Sequence, residues 1–409
     1  MAAGSYSGFP SPNVDGTANA RITYVGSLAN PGQVVVASGS LARSYVTIKG
    51  VKFSGSVSLS PNGNAMAQHD SIAFSIMTGL NVNAAKYCMI AHNTMNCSGS
   101  YPIAFLSSNG DQSATGIANC ERDTLRGNTI VCANIPTDNR AIRFTSRMQY
   151  CLVDSNNVSG TFSDVTSAGR SYLWRMTNSY FNKFVADTFT CSGLNLPSGQ
   201  VAWSMSCLRD SCYRNTFSYC QFKSTGSYPV EFFMEETGVT TPGWDHDNFG
   251  NKWDHCRWDI LTPDAGTYYA IAFQDGALSD TVTNCVVNSP NSSGFWFQYV
   301  RNGTPGGVPN CTLFDHNTVF SSTGISRAPM DINTNSGGFE SGAQLKITNN
   351  IFYTRSTTGG TPGNCAYLVR PNPTTGVNLV SDYNLVTSWA GKSQSIYYAE
   401  GGGGKTGPG

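Results

Sequence analysis

Three stretches decide the fold: Ile90-Ala-His-Asn-Thr-Met95, Leu125-Arg-Gly-Asn-Thr-Ile130 and Phe314-Asp-His-Asn-Thr-Val319. Each carries an apolar residue, a small polar residue three positions on, and a second apolar residue two beyond that. The same frame can be laid along most of the chain. Its polar slot holds Asn93, Asn128, Asn156, Asp187, Cys220, Cys256, Cys285, Asn317, Asn349 and Tyr383, with a further copy at Val51 between Ile48 and Phe53. Only Lys346 breaks the apolar rule upstream of the slot. The ten intervals between 51 and 383 run from 28 to 42 residues, about 33 on average.

A period this variable argues against helix-pair arrays and suits a coil whose strands stay fixed while its loops expand. With 43 glycines and short β-branched or aromatic runs between turn formers, helical signals are poor. A second apolar run falls in every interval, from Ile72-Ala-Phe-Ser-Ile through Ile142-Arg-Phe-Thr, Leu173-Trp-Arg-Met and Glu231-Phe-Phe-Met to Tyr367-Leu-Val-Arg. Each repeat therefore carries at least two strands, and like strands of successive repeats must pair in parallel. One rung cannot bury its inner face alone, so stacking supplies the core. Recurring Asn side chains at the slot are expected to bond from rung to rung. Cys at three consecutive slots marks the position as small and interior.

The expectation is an all-β parallel β-helix (solenoid) of about 11 rungs, with residues 1–395 as one domain and 396–409 as a flexible, glycine-rich tail. The pieces His92-Asn-Thr-Met, Gly127-Asn-Thr-Ile, Ser155-Asn-Asn-Val, His316-Asn-Thr-Val and Thr348-Asn-Asn-Ile carry a resemblance to the right-handed parallel β-helix proteins of the pectate-lyase-like superfamily. It covers roughly residues 40–390. It is specific for fold and weak for activity, because this fold hosts many functions.

Composition removes several classes. Lys plus Arg equals Asp plus Glu at 25 each, so the basic stripe that a duplex requires is absent and nucleic acid is not expected as a partner. No apolar run reaches the roughly 18 residues of a membrane span. Residues 1–20 show no secretion signal, yet the resemblance implies an extracellular or cell-surface protein, and the chain reads as part of a longer secreted one. A missing first rung would leave an open edge unless something covers it. The 13 cysteines fall at recurring positions around the slot, which favours in-register stacking of small buried thiols over a disulfide framework.

On β-helices a ligand usually lies along one lateral face, so the second run is where chemistry is expected. Arg143 and Arg175, one rung apart, could clamp a uronic acid carboxylate, as a lyase requires. Glu235 and Asp275, at nearly matching positions on adjacent rungs, could supply the acid and the base or nucleophile of glycoside hydrolysis. Trp174, Trp203, Glu236, Tyr299, Arg301, Asp331 and Arg370 are the expected substrate contacts along the same face. No cofactor is expected, apart from a candidate calcium position near Asp245 and Asp247 in the loop Trp244-Asp-His-Asp-Asn. The pectate-lyase calcium cluster and the polygalacturonase signatures are missing. The expected function is a secreted β-helix that binds an extended polysaccharide and cleaves it by lyase or hydrolase chemistry. The alternative is a non-catalytic adhesin or structural rod.

Overall fold

A computed structural model describes all of the 409 residues except 11, 61–66, 100–101, 107–119, 137–138, 146, 163–170, 194–203, 210, 225–230, 236–247, 262–268, 274–278, 291–292, 298, 301–310, 322–328, 334–337, 340–342, 355–364, 371–378, 389–393, 401–402 and 408–409. The chain forms two compact units, Met1–Phe189 and Thr190–Gly409.

In the first unit every rung contributes to three parallel sheets. The leading sheet stacks Ile22–Val25, Val46–Lys49, Ser71–Ala73, Met89–Ala91, Thr124–Arg126, Leu152–Asp154 and Lys183–Val185. The trailing sheet runs from Gly4–Tyr6 through Thr94–Ser98 to Asn157–Phe162, and the lateral sheet from Gly39–Leu41 through Ile103–Leu106 and Arg140–Thr145 to Tyr172–Thr177. The repeat frame thus spans a corner: its upstream apolar residue lies in the leading sheet, its downstream one in the trailing sheet. At the corner, the residue before the slot takes a left-handed backbone, as at His92 (φ 55°) and Ser155 (φ 57°). Gly127 is needed there twice over. Its φ is 61°, and a Cβ would sit 2.7 Å from Nδ1 of His92, whose ring fills that space.

The frame hides one copy in the first unit. Ser75, with Ile72 before it and Met77 after it, is a slot inside the 42-residue first interval. Ile72 accordingly lies in the leading sheet, paired with Ile48 and Ile90, not in the lateral one. The front rungs also precede the first copy. The chain's opening residues lie against them: Phe9 packs edge-on to Tyr24 at 4.6 Å and tilts onto Phe53 at 6.3 Å.

Two side-chain ladders run up the interior, one at each end of the leading strands. In the slot ladder, the backbone N–H of each rung donates to the side chain of the next: Val51 to Ser75 Oγ, Ser75 to Asn93 Oδ1, Asn93 to Asn128 Oδ1, Asn128 to Asn156 Oδ1 and Asn156 to Asp187 Oδ1, all at 2.8–3.3 Å. Each Asn also donates its Nδ2 back to a main-chain carbonyl: Asn93 to Ile72, Asn128 to Ile90 and Asn156 to Leu125. The other ladder alternates Asp and Cys. Val46 N–H donates to Asp70 Oδ1 at 2.8 Å, Cys88 to Asp123 Oδ1 at 2.8 Å, Asp123 to Cys151 Sγ at 3.4 Å and Cys151 to Asn182 Oδ1 at 3.0 Å.

These aspartates stand where amides stand elsewhere, and Oδ2 of Asp70, Asp123 and Asp187 is buried with no partner among the described residues. Desolvation by burial raises the carboxyls of Asp70 and Asp187 to about 7, against the ordinary 3.8, and pushes Asp123 well above that ordinary value.

In the second unit the leading sheet stacks Thr216–Ser218, Lys252–Asp254, Thr281–Thr283, Cys311–Asp315, Gln344–Thr348 and Leu379–Asp382. Its slot ladder takes Cys220, Cys256 and Cys285 and then Asn317. The final two steps correct the sequence frame by one residue: Asn317 N–H donates to Asn350 and Asn350 to Asn384, at 2.8 and 2.9 Å. Asn349 and Tyr383 instead hold the left-handed corner, at φ 55° and 53°. With that shift the misfit at Lys346 disappears, because Ile347 pairs with Phe314 and is fully buried. Stacked rings fill the core, including Phe217 on Trp253 at 5.5 Å and Phe222 on Trp258 at 5.1 Å. Where the sequence suggests a flexible tail from 396, Gln394–Glu400 extends the lateral sheet and Gly403–Gly407 pairs with it antiparallel.

Twelve of the 13 cysteines, all but Cys365, have described side chains; these twelve are free thiols, and eleven of them are buried. No helix among the described residues is long and apolar enough to cross a membrane.

Candidate functional site on the lateral sheet

In the first unit the lateral strands share one register, so outward residues form a column along the sheet: Ser40, Ser58, Asn81, Ala104, Arg143 and Arg175. Arg143 and Arg175 are direct partners, which puts their backbones one strand spacing apart, about 4.8 Å. Both are half-buried, while their inward neighbours Ile142, Phe144, Trp174 and Met176 are fully buried. The pairing of two like charges on neighbouring strands is unfavourable unless an anion or a counter-charge faces them. Nε of Arg175 is buried without a hydrogen-bond partner among the described residues. The face around the pair is itself covered, since Ala104, Ala141 and Leu173 are 2%, 0% and 0% exposed. The guanidinium groups therefore act in a medium of lower polarity than open water, where charge-assisted hydrogen bonds to a carboxylate are stronger.

The other expected site residues fall out differently. Trp174 is no sugar platform: it is fully buried, stacked on Phe184 at 5.5 Å and edge-on to Phe144 at 6.1 Å. The register explains the miss, because Trp174 pairs with inward Ile142, one residue on from the alignment suggested by Leu173. Asp331 lies between Trp296 and Leu368 on the lateral sheet of the second unit and is completely buried. The backbone of Glu235 pairs with that of Arg209, and that of Arg370 with Asn333. Tyr299 belongs to a separate two-stranded sheet with Gly338–Phe339, not to the lateral ladder. Asp275, Trp203, Glu236, Arg301, Asp245 and Asp247 lie outside the described residues. Among the described residues no group of three or more His, Cys, Asp or Glu side chains is placed to hold a metal ion.

Sequence reasoning also missed the columns built on the left-handed corners. In the first unit Tyr45, His69 and Tyr87 stack face to face at 4.7 and 4.8 Å. The guanidinium of Arg122 then lies between the rings of Tyr87 and Tyr150 at 5.5 and 5.7 Å, and Tyr150 stacks on Phe181 at 5.1 Å. The signal was in the sequence as an aromatic or Arg three residues upstream of each leading strand's central apolar residue.

No family model matches the chain, and no curated protein matches it in sequence. Among solved structures it is similar to a PL6 family polysaccharide lyase from Pseudopedobacter saltans, at 11% identity and a TM-score of 0.35, with 90% of this chain and 92% of that one covered. It is also similar to the PL6 family alginate lyase AlyGC, at 9% identity and a TM-score of 0.25 over 94% and 96% of the two chains. A third likeness is to the catalytic domain of a GH87 alpha-1,3-glucanase, at 12% identity and a TM-score of 0.30 over 90% and 63%. The sheets of the chain are, for their part, stacks of parallel strands, the architecture of a parallel β-helix.

Proposed function

We propose that the protein binds an extended, carboxylate-bearing polysaccharide along the lateral sheet, with Arg143 and Arg175 gripping a uronate unit. The observation that supports this reading is the in-register pair of half-buried arginines in a column that also carries Ser58, Asn81 and the buried Ala104. Two guanidinium groups one strand apart offer a carboxylate several donors at once and neutralise its charge. Neutralisation also acidifies the C–H next to the carboxylate, which is the electrostatic half of a lyase reaction. In the second unit, Glu235 and Asp275 are the proposed acid and base of a hydrolytic alternative.

The test is calorimetric titration with polyuronates and neutral glycans at low and high salt, together with product assays for new unsaturated bonds and for reducing ends. Polyuronate binding should weaken as salt rises and fall by about tenfold or more in Arg143→Ala/Arg175→Ala. Equal binding of neutral and acidic chains, or no change in that variant, would refute the clamp. Product release lost in Glu235→Gln/Asp275→Asn assigns the cleavage to the carboxylates. Binding without product on any glycan leaves a non-catalytic binding module.

A further inference from the structure

One exposed edge of the second unit repeats on a scale that the coil does not require. Its left-handed corner column reads Tyr219, His255, Asn284, His316, Asn349 and Tyr383, each with φ between 53° and 57°. The column is continuous, because the N–H of every member but the last donates to the carbonyl just before the next member. Beside it, the last residues of the leading strands read Asp254, Thr283, Asp315, Thr348 and Asp382, direct partners from rung to rung. The backbone repeats every rung, yet from Asp254 to Asn349 the side chains repeat every second rung, Asp-His, Thr-Asn, Asp-His, Thr-Asn, flanked by Ser218-Tyr219 before and Asp382-Tyr383 after.

Each two-rung unit is wired alike. Asp254 Oδ1 accepts from Thr283 Oγ1 at 3.0 Å and Asn284 Nδ2 at 2.9 Å, with His255 Nδ1 at 3.1 Å. Asp315 Oδ1 accepts from Thr348 Oγ1 at 2.7 Å and Asn349 Nδ2 at 2.9 Å, and its Oδ2 holds His316 Nδ1 at 2.8 Å. Burial nudges both carboxyls upward, but the Asn, Thr and His donors outweigh it and leave them below the ordinary value, so both are ionised at neutral pH. With Nδ1 engaged, each imidazole turns Nε2 outward, and the two His side chains are 47% and 61% exposed. Tyr219 supports the ring of His255 at 4.9 Å. Tyr219 and Tyr383, at the two ends of the column, are 58% and 80% exposed.

Bulky residues at left-handed corners are unfavourable where Gly or Asn would serve. The strip is about 24 Å long by strand spacing. We propose that this strip binds a neutral glycan chain lengthwise. Two rungs span about 9.6 Å, which suits two sugar units of an extended chain. Imidazole Nε2 and the carboxylates then meet hydroxyl groups, and the terminal tyrosines offer stacking faces. The row of aspartates repels acidic polymers, so this strip and the arginine pair of the first unit select opposite charge classes.

Imidazole resonances of the full chain test the idea during titration with β-1,4-linked gluco-oligosaccharides and, separately, with oligouronates. The expected result is shifts at His255 and His316 with the neutral sugar, none at His69 and His92 of the other unit, and none with oligouronates. His316→Asn, which keeps a corner residue of the type found at Asn349, and Tyr383→Ala should each weaken binding by about tenfold. Neutral-sugar binding should persist in Arg143→Ala/Arg175→Ala, which separates this proposal from the lateral-sheet one. No shift at millimolar sugar, equal shifts with oligouronates, or unchanged affinity in both strip variants would overturn it.

Discussion

Replacing Asp187 with Asn is expected to stabilise the first unit at alkaline pH and to do little in acid. Asp187 closes the slot ladder of that unit. Its Oδ1 accepts both the N–H and the Nδ2 of Asn156, at 2.8 Å each. In the rungs before it, the second polar atom of the slot side chain donates to a carbonyl three residues upstream of the neighbouring slot. The equivalent carbonyl for Asp187 is that of Val153, which an ionised Oδ2 meets as acceptor against acceptor. Burial is the largest cause of the upward displacement to about 7, and the donors from Asn156 only partly offset it. The sign follows from proton counts. Between about 3.8 and about 7 the folded state holds a proton that the unfolded chain has released, so stability falls as pH rises through that window and is flat above it. The full difference is about 4 kcal/mol, an upper figure because the unit can relax around the charge.

Asn cannot ionise and supplies the missing donor. Asp187→Asn should therefore gain up to about 4 kcal/mol over the natural chain at pH 8 and stay within about 1 kcal/mol of it at pH 4. Urea unfolding read by hydrogen exchange over residues 150–190, corrected for intrinsic exchange at each pH, measures both. A stability difference independent of pH, or none at pH 8, would refute the neutral-acid reading of the ladder.

Three further outcomes follow from the same structure. Trp174→Ala should cost about 3–5 kcal/mol in unfolding measurements, because it empties a core site next to Phe144, Phe184 and Phe189; intact stability with lost sugar binding would contradict its buried position. Asn128→Ala leaves Asn93 N–H and Nδ2 and the Ile90 carbonyl without their partner, for a loss of about 3–5 kcal/mol, whereas Asn128→Asp should regain part of that at pH 5 and little at pH 9. Among the twelve cysteines other than Cys365, native thiol labelling mapped by mass spectrometry should reach Cys311 first, the one that is not buried; early labelling of Cys256 would mean that the second core opens readily.

The repeat frame made the architecture legible because a buried slot constrains residue size on every rung. Its errors came where that constraint was degenerate. Asn349 and Asn350 are both Asn, so the frame slipped by one and left Lys346 as the visible symptom. Ser75 was lost because Ile72-Ala-Phe-Ser-Ile reads equally well as the second run of a 42-residue interval. Trp174 shows the same sensitivity in the lateral sheet: a slip of one residue exchanges inside for outside. The same slip brings Arg175 directly opposite Arg143, where the sequence alignment had set Trp174. The Tyr219–Tyr383 strip is not legible in the repeat frame, because its meaning lies in the two-rung alternation of the residues beside the slot.

The interior ladders also have a direction. The slot bonds described above all run from the backbone N–H of one rung to the side chain of the rung that follows it in sequence. Both ladders of the first unit accordingly begin on a residue with nothing to accept with, Val46 and Val51. The rung before them bonds instead to the backbone carbonyls of Tyr45 and Gly50. On a ribosome, each new coil would hold an unquenched amide at its corner until its successor arrived. Assembly would then advance like a zip whose every tooth is locked by the next, with the youngest coil always the least secure.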